Sequence, residues 1–132
     1  MWHLPETLRE FEEAGDDSLV LELIDSFQID TASRLERLHA AVARFDAATV
    51  KAEAHSVRGS ARQMGAEALA ELCQAVESGA PKMNWPGLED QVQQAEVRFA
   101  EALSAMAEYV NSKQRAGVPL PTGAHLEGSF LG

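Results

Sequence analysis

One histidine of this chain stands in a setting that could carry out chemistry. His55 lies in an alanine-rich segment of strong helix propensity. At about 100° per residue, the same helix face carries a glycine and three cations: Gly59, Lys51, Arg58 and Arg62. Neutral imidazole is a nitrogen nucleophile at physiological pH, and cations offset the charge of a phosphoryl group. The pattern therefore predicts a histidine that accepts a phosphoryl group.

The apolar residues of this segment predict which way the histidine points. They form a stripe about 140° away from His55 around the helix: Val50, Ala54, Val57, Ala61 and Met64. We therefore expect His55 to face solvent. Gly59 costs a helix about 1 kcal/mol relative to alanine, and at this place it keeps the approach to the imidazole open.

Five predicted helices position this face. The first starts at Pro5 and ends at Gly15, and the second follows the capping residues Asp16–Ser18. The apolar positions of the second helix are Val20, Leu23, Ile24, Phe27, Leu35, Leu38, Val42 and Phe45, with a polar gap at Asp30–Thr31 where we expect a kink. The third runs from Asp46 to Gly65, the fourth from Ala66 to Ser78, and the last from near Gly87 to beyond Val110.

These elements predict an all-α fold, an antiparallel four-helix bundle with a short additional N-terminal helix. We assign residues 1–116 to the bundle. Residues 117–132 are rich in glycine and proline without periodicity, which predicts a disordered C-terminal tail.

Composition excludes several classes of protein. The net charge of −10 opposes binding to nucleic acid or to an anionic membrane surface. Cys73 is the lone cysteine, no apolar run is long enough to span a membrane, and no signal pattern is present. We expect a cytoplasmic monomer without direct membrane insertion. No His, Cys or carboxylate spacing predicts a metal site, and no glycine-rich loop predicts a nucleotide, so we expect no metal and no cofactor.

The segment around His55 resembles the histidine-containing phosphotransfer (HPt) domain of multistep two-component phosphorelays. The resemblance rests on His55, Arg58, Gly59, Ser60, Ala61 and Met64-Gly65, and it continues through Leu69–Cys73 and Glu77. It implies a phosphorelay carrier that is not an enzyme, with His55 as phospho-acceptor. Its implied partner is the receiver domain of a response regulator or a hybrid histidine kinase. Arg58 stands where lysine is commoner in that family, which keeps the charge but changes its geometry.

Other functions remain open at this stage. The fold could serve as a binding module that docks and regulates a protein other than a receiver. The chain could also be the C-terminal domain of a hybrid sensor kinase. A kinase dimerisation module is disfavoured, since an acidic residue should follow its histidine and Ser56 stands there. Lys51 and Arg62 could support a phosphate or could merely be solvated charges.

Overall fold

The computed structural model describes residues 2–119. Five α-helices follow one another: α1 (Glu6–Glu13), α2 (Asp17–Ala43), α3 (Ala47–Gln63), α4 (Glu67–Gly79) and α5 (Trp85–Arg115). A 3₁₀ turn at Ala80–Lys82 joins α4 to α5, and the described part of the chain contains no strand. The tail assigned to residues 117–132 lies outside the described residues, apart from 117–119.

The four long helices form a square in which each contacts two neighbours. Helix α2 packs against α3 and α5, and α4 packs against the same two helices. Contacts between α2 and α5 show that these two helices are antiparallel. Phe27 meets Phe99 edge to face at 6.0 Å, and Asp17 Oδ1 lies 3.5 Å from Lys113 Nζ. The predicted fold, an antiparallel four-helix bundle with a short additional N-terminal helix, is confirmed.

Helix α2 runs without interruption through the polar gap near Asp30. Thr31 is fully buried there, and Gln28 is 3% exposed. Both side chains lie on the helix face that carries Ile24 and Leu35. The uncharged side chains of Gln28 and Thr31 thus continue the buried stripe of α2 through the polar gap.

The last helix begins two residues earlier than the sequence suggested. Asn84 caps it, since its Oδ1 accepts a hydrogen bond of 3.4 Å from the Gly87 backbone N–H. Trp85 and Pro86 form the first turn. Proline fits there because the first backbone N–H groups of a helix have no partner within the helix.

Four of the helices end in the same turn, in which two backbone hydrogen bonds close around a residue with left-handed φ. Glycine occupies that residue after α1, α3 and α5: Gly15, Gly65 and Gly117. After α2 the residue is Phe45, with φ of 59°. A Cβ makes this conformation cost about 1–2 kcal/mol. The helical periodicity placed Phe45 in the core, but the left-handed turn takes it out of the helix and leaves it 67% exposed.

The N-terminal segment packs across the end of the bundle at which α3 and α5 end, which is opposite to Phe45. Trp2 Nε1–H donates to the backbone oxygen of Met64 at 2.6 Å, where α3 ends. The Tyr109 hydroxyl donates to Glu12 Oε2 at 2.5 Å, and Lys113 Nζ lies 3.0 Å from the same oxygen. These contacts join the N-terminal segment to the last turn of α3 and to the C-terminal part of α5.

This cluster predicts how stability depends on pH. The hydrogen bond from Tyr109 is the main cause that holds the pKa of Glu12 below its usual 4.5. The hydrogen bond to Glu12 raises the pKa of Lys113 above 10.5. Stability from Glu12 is therefore complete above pH 4.5 and is lost as the pH falls through its lowered pKa. Stability from Lys113 is complete below pH 10.5 and is lost as the pH rises through its raised pKa.

We expect Glu12→Gln to reduce the loss of stability between pH 4.5 and acid conditions, measured as the free energy of unfolding in urea at each pH. Glu13→Gln is the matched control, because Glu13 is exposed on the same helix. An equal effect of the two substitutions would contradict the assignment.

Candidate functional site

The start of α3 is fixed by a side chain. Asp46 accepts hydrogen bonds from the Thr49 backbone N–H at 3.1 Å and from the Thr49 hydroxyl at 2.6 Å. The hydroxyl bond is the largest of the three causes that lower the pKa of Asp46. Because the carboxylate satisfies a first-turn donor of the helix, it sets the residue at which α3 begins.

The rotation of α3 about its axis is fixed by the core. Four small apolar residues of the predicted stripe are fully buried: Val50, Ala54, Val57 and Ala61. The His55 side chain is 62% exposed on the other side of the helix. The predicted solvent orientation of His55 is thus what the structure shows, and burial of the stripe is its physical cause.

Gly59 lies one turn after His55 and is exposed. A Cβ built at this position would have no atom within 4 Å apart from its own helix and neighbours. Close helix packing therefore does not require a glycine here. Because Gly59 has no side chain, no group projects from this position beside the imidazole.

The imidazole of His55 is held from α4. Its Nδ1 lies 2.8 Å from Glu77 Oε2 and 3.0 Å from Arg58 Nη2. Arg58 Nε lies 3.2 Å from Glu77 Oε1, an ion pair without hydrogen-bond alignment at that oxygen. The Glu77 side chain is 17% exposed and the Arg58 side chain 25%, so both stand lower in the surface than His55.

Nδ1 of His55 cannot form hydrogen bonds with Glu77 and Arg58 at the same time. Glu77 as a carboxylate only accepts, so its contact requires a proton on Nδ1. Arg58 only donates, so its contact requires a lone pair there. When Nδ1 carries the proton, the lone pair of a neutral imidazole is on Nε2. The site can thus hold a nucleophilic Nε2 while a carboxylate orients the ring from the other side.

The other predicted cations lie farther from the imidazole contacts. Arg62 Nη2 donates to Gln74 Oε1 on α4 at 2.5 Å. Lys51 is exposed and makes no ion pair within residues 2–119. Of the three cations predicted around His55, Arg58 alone contacts the ring within the described chain. Lys51 remains free to meet a ligand, whereas Arg62 would first have to leave Gln74.

No pattern in the sequence predicts that Glu77 belongs to the site. It lies 22 residues after His55 and on another helix. The resemblance includes Glu77 only as part of the helix that follows. The axial register between α3 and α4 decides this contact, and no periodicity within either helix reports that register.

The middle of the chain departs from the acidic character of the whole. Of the 11 basic residues, most lie between Arg34 and Lys82, although the net charge is −10. Glu53 on α3 is 14% exposed and is paired with Arg34 at 3.4 Å and Arg37 at 3.1 Å. These arginines lie on α2, so the ion pairs also join α2 to α3.

Two other kinds of site receive no support from the described residues. No group of three or more His, Cys, Asp or Glu side chains within residues 2–119 is placed to hold a metal ion. No helix in this range is long and apolar enough to cross a membrane. Cys73 is fully buried, and burial raises the pKa of its thiol to about 12, as expected for a core residue.

Comparison with known proteins gives the family. Residues 22–112 match the family described as Hpt domain. A similar solved structure is histidine-containing phosphotransfer protein B (HptB) from Pseudomonas aeruginosa PAO1. It is 31% identical, with a TM-score of 0.71, and the match covers 86% of this chain and 96% of that chain. No curated protein matches. The chain therefore belongs to the Hpt domain family, whose members are phosphocarrier modules of two-component signalling.

Proposed function

We propose that Nε2 of His55 accepts a phosphoryl group from the aspartyl phosphate of a receiver domain and exchanges it with such a domain. The observation that carries this proposal is the exposed imidazole whose Nδ1 is oriented by Glu77 at 2.8 Å. The open surface at Gly59 supports it, because a receiver must bring its reacting group to within contact of the ring.

The transfer balances with the groups present. The Nε2 lone pair attacks the phosphorus, a nitrogen–phosphorus bond forms, and the bond to the aspartyl oxygen breaks. The aspartate leaves as a carboxylate. The imidazole ring gains positive charge, and the Nδ1 proton held by Glu77 stabilises that charge. The reverse step returns the phosphoryl group to an aspartate.

The cations have separate parts in this proposal. Arg58 lies beside the ring and offsets the nearly two negative charges that the phosphoryl group brings. Lys51 is exposed on the same face and supports the phosphate or the approaching partner. Arg62 contributes only when it leaves Gln74.

This chain acts as a carrier and not as an enzyme in our proposal. The resemblance assigns the catalytic carboxylates and the magnesium ion of the transfer to the receiver. The partner is thus the receiver domain of a response regulator or a hybrid histidine kinase, met by a monomer in the cytoplasm.

The first test is labelling of the acceptor. A receiver domain carrying ³²P-aspartyl phosphate should label the wild-type chain and yield an acid-labile, base-stable phosphoramidate. His55→Gln should abolish the label while the melting temperature stays unchanged, because an exposed side chain contributes little to stability. His39→Gln, a histidine 54% exposed on α2, is the matched control and should be labelled like the wild type.

The same experiment separates the carrier from a pure binding module. If wild-type protein binds the receiver or another protein but takes no label, the chain acts by docking alone. Labelling that persists in His55→Gln would place the acceptor elsewhere.

The second test concerns Glu77. Glu77→Gln replaces a charged acceptor by an amide that can also donate, so the preference for a proton on Nδ1 should fall. We expect ¹⁵N NMR of the His55 ring to show Nδ1 protonated in the wild type and a tautomer mixture in the variant. The transfer rate should fall roughly fivefold, corresponding to about 1 kcal/mol.

Two variants control this test. Glu71→Gln lies on the exposed side of α4 and should change neither the tautomer nor the rate. Arg58→Ala should shorten the lifetime of phosphohistidine without reducing protonation of Nδ1. An unchanged tautomer and rate in Glu77→Gln would refute the orienting role of Glu77.

The third test compares two substitutions of Gly59. Gly59→Ala should stabilise the domain by about 1 kcal/mol, since alanine is the better helix former and its Cβ enters open space. Gly59→Gln should also fold but slow phosphotransfer, because its side chain fills the approach to the ring. Urea denaturation and the labelling rate measure the two effects, and transfer by Gly59→Gln at the wild-type rate would exclude the role of access.

A further inference from the structure

At one end of the bundle, bulky residues take the left-handed backbone conformation that glycines take in the other turns. This end, here the Phe45 end, consists of residues 44–46 and 80–84. Phe45 and Met83 are the non-glycine residues with positive φ in the described chain, at 59° and 56°. They are also exposed, at 67% and 57%. Bulky apolar side chains are thus presented to solvent at the two positions where glycine would relieve the backbone.

A groove opens beside Phe45. The Phe45 ring packs edge to face on Trp85, with ring centroids 5.4 Å apart at an angle of 71°. The groove encloses about 530 Å³, which lies within the range of small-molecule and side-chain pockets. Its walls are mainly apolar and come from the end of α2 and the start of α5: Val42, Ala43, Pro86 and Val92.

The polar part of the groove consists of one carboxylate and one histidine. Glu89 lines it and is exposed. His39 also lines it, and its Nδ1 lies 3.4 Å from Glu96 Oε1. No lysine or arginine is among the described residues that line this groove. The lining thus holds one carboxylate, Glu89, and a second, Glu96, lies beside the lining His39. Arg44, next to Phe45, is paired with Asp46 at 3.9 Å. Apolar walls with these two carboxylates match an apolar side chain that has cations beside it.

Two occupants from this protein itself fit poorly. Helix α5 has 31 residues and spans about 46 Å, so the chain leaves the described region at the opposite end of the bundle. A segment that follows Pro119 therefore starts at the end of α5 that is far from the groove. A second copy carries the same net charge of −10, so the two copies would repel each other. The patch also consists of only a few side chains, whereas stable dimers bury about 1,200 Å² or more of surface.

We propose that the groove docks a basic amphipathic helix of a partner protein. One apolar side chain of that helix enters the groove against Phe45 and Trp85, and its lysine or arginine residues face Glu89 and Glu96. A cation close to the two aromatic rings gains further attraction from their π faces. Phe45 supports this docking, because a bulky apolar side chain stands exposed at a position whose backbone favours glycine.

The groove is separate from the phosphotransfer site. Its lining residues belong to α2, α5 and the α2–α3 turn, while His55 faces Glu77 on α4. A docked helix therefore leaves the imidazole accessible. The proposal does not depend on the proposed function, since binding here and labelling of His55 are measured separately.

The test uses a synthetic 16-residue amphipathic peptide with one leucine–tryptophan stripe flanked by lysine and arginine. A second peptide carries glutamate in place of every cation. ¹⁵N NMR of the full chain follows the Trp85 indole, with the Trp2 indole as an internal reference. We expect the basic peptide to shift Trp85 and the amides of Val42 and Phe45 with a Kd of about 1 mM or tighter, and the acidic peptide to shift none of them.

Variants locate the binding. Phe45→Asn keeps a residue that tolerates left-handed φ, so the fold is retained, and we expect Kd to rise at least tenfold. Glu89→Gln should raise Kd severalfold and reduce its dependence on salt. Val97→Ala removes a comparably exposed apolar side chain of α5, 54% exposed, and should leave Kd unchanged.

Several outcomes would overturn the proposal. They are equal affinity in Phe45→Asn, shifts centred on His55, or no shift of Trp85 by the basic peptide. A Trp85 signal that changes with protein concentration alone would assign the groove to a second copy. A Trp85 signal that changes on deleting residues 120–132 would assign it to the tail.

Discussion

The burial of one helix stripe governs the rest of this structure. Val50, Ala54, Val57 and Ala61 lose all contact with solvent, and each buried methylene group contributes about 0.8 kcal/mol. Rotating α3 to hide His55 would expose this stripe. His55 therefore remains on the surface because of the apolar residues on the opposite face, and no contact of the imidazole itself is needed to hold it there.

The contacts around this helix then convert an exposed histidine into an oriented one. Asp46 sets where α3 begins, and Trp2 holds the carbonyl group of Met64 where it ends. With both ends placed, α4 brings Glu77 to within 2.8 Å of the ring. The Glu77 carboxylate is 17% exposed and the His55 imidazole is 62% exposed. The ring is therefore held on its protein side and is open on its solvent side.

The two ends of the bundle are built differently. At one end, left-handed glycines close the turns, and the Trp2, Glu12 and Tyr109 contacts fasten the N-terminal segment. At the other end, Phe45 takes a conformation that a side chain disfavours and remains exposed. Strain of this kind is retained only where the surrounding structure imposes it, and such residues cluster at functional surfaces.

The all-α fold, the helix faces and the outward direction of His55 follow from the sequence alone, because helical periodicity and capping act within one segment. Tertiary structure alone decided the Glu77 contact, the turn of Arg62 towards Gln74 and the exposure of Phe45. The first two depend on the axial register of α3 against α4, which neither helix encodes alone. The third depends on where α2 stops: a residue in step with the apolar stripe leaves the core once the helix ends before it.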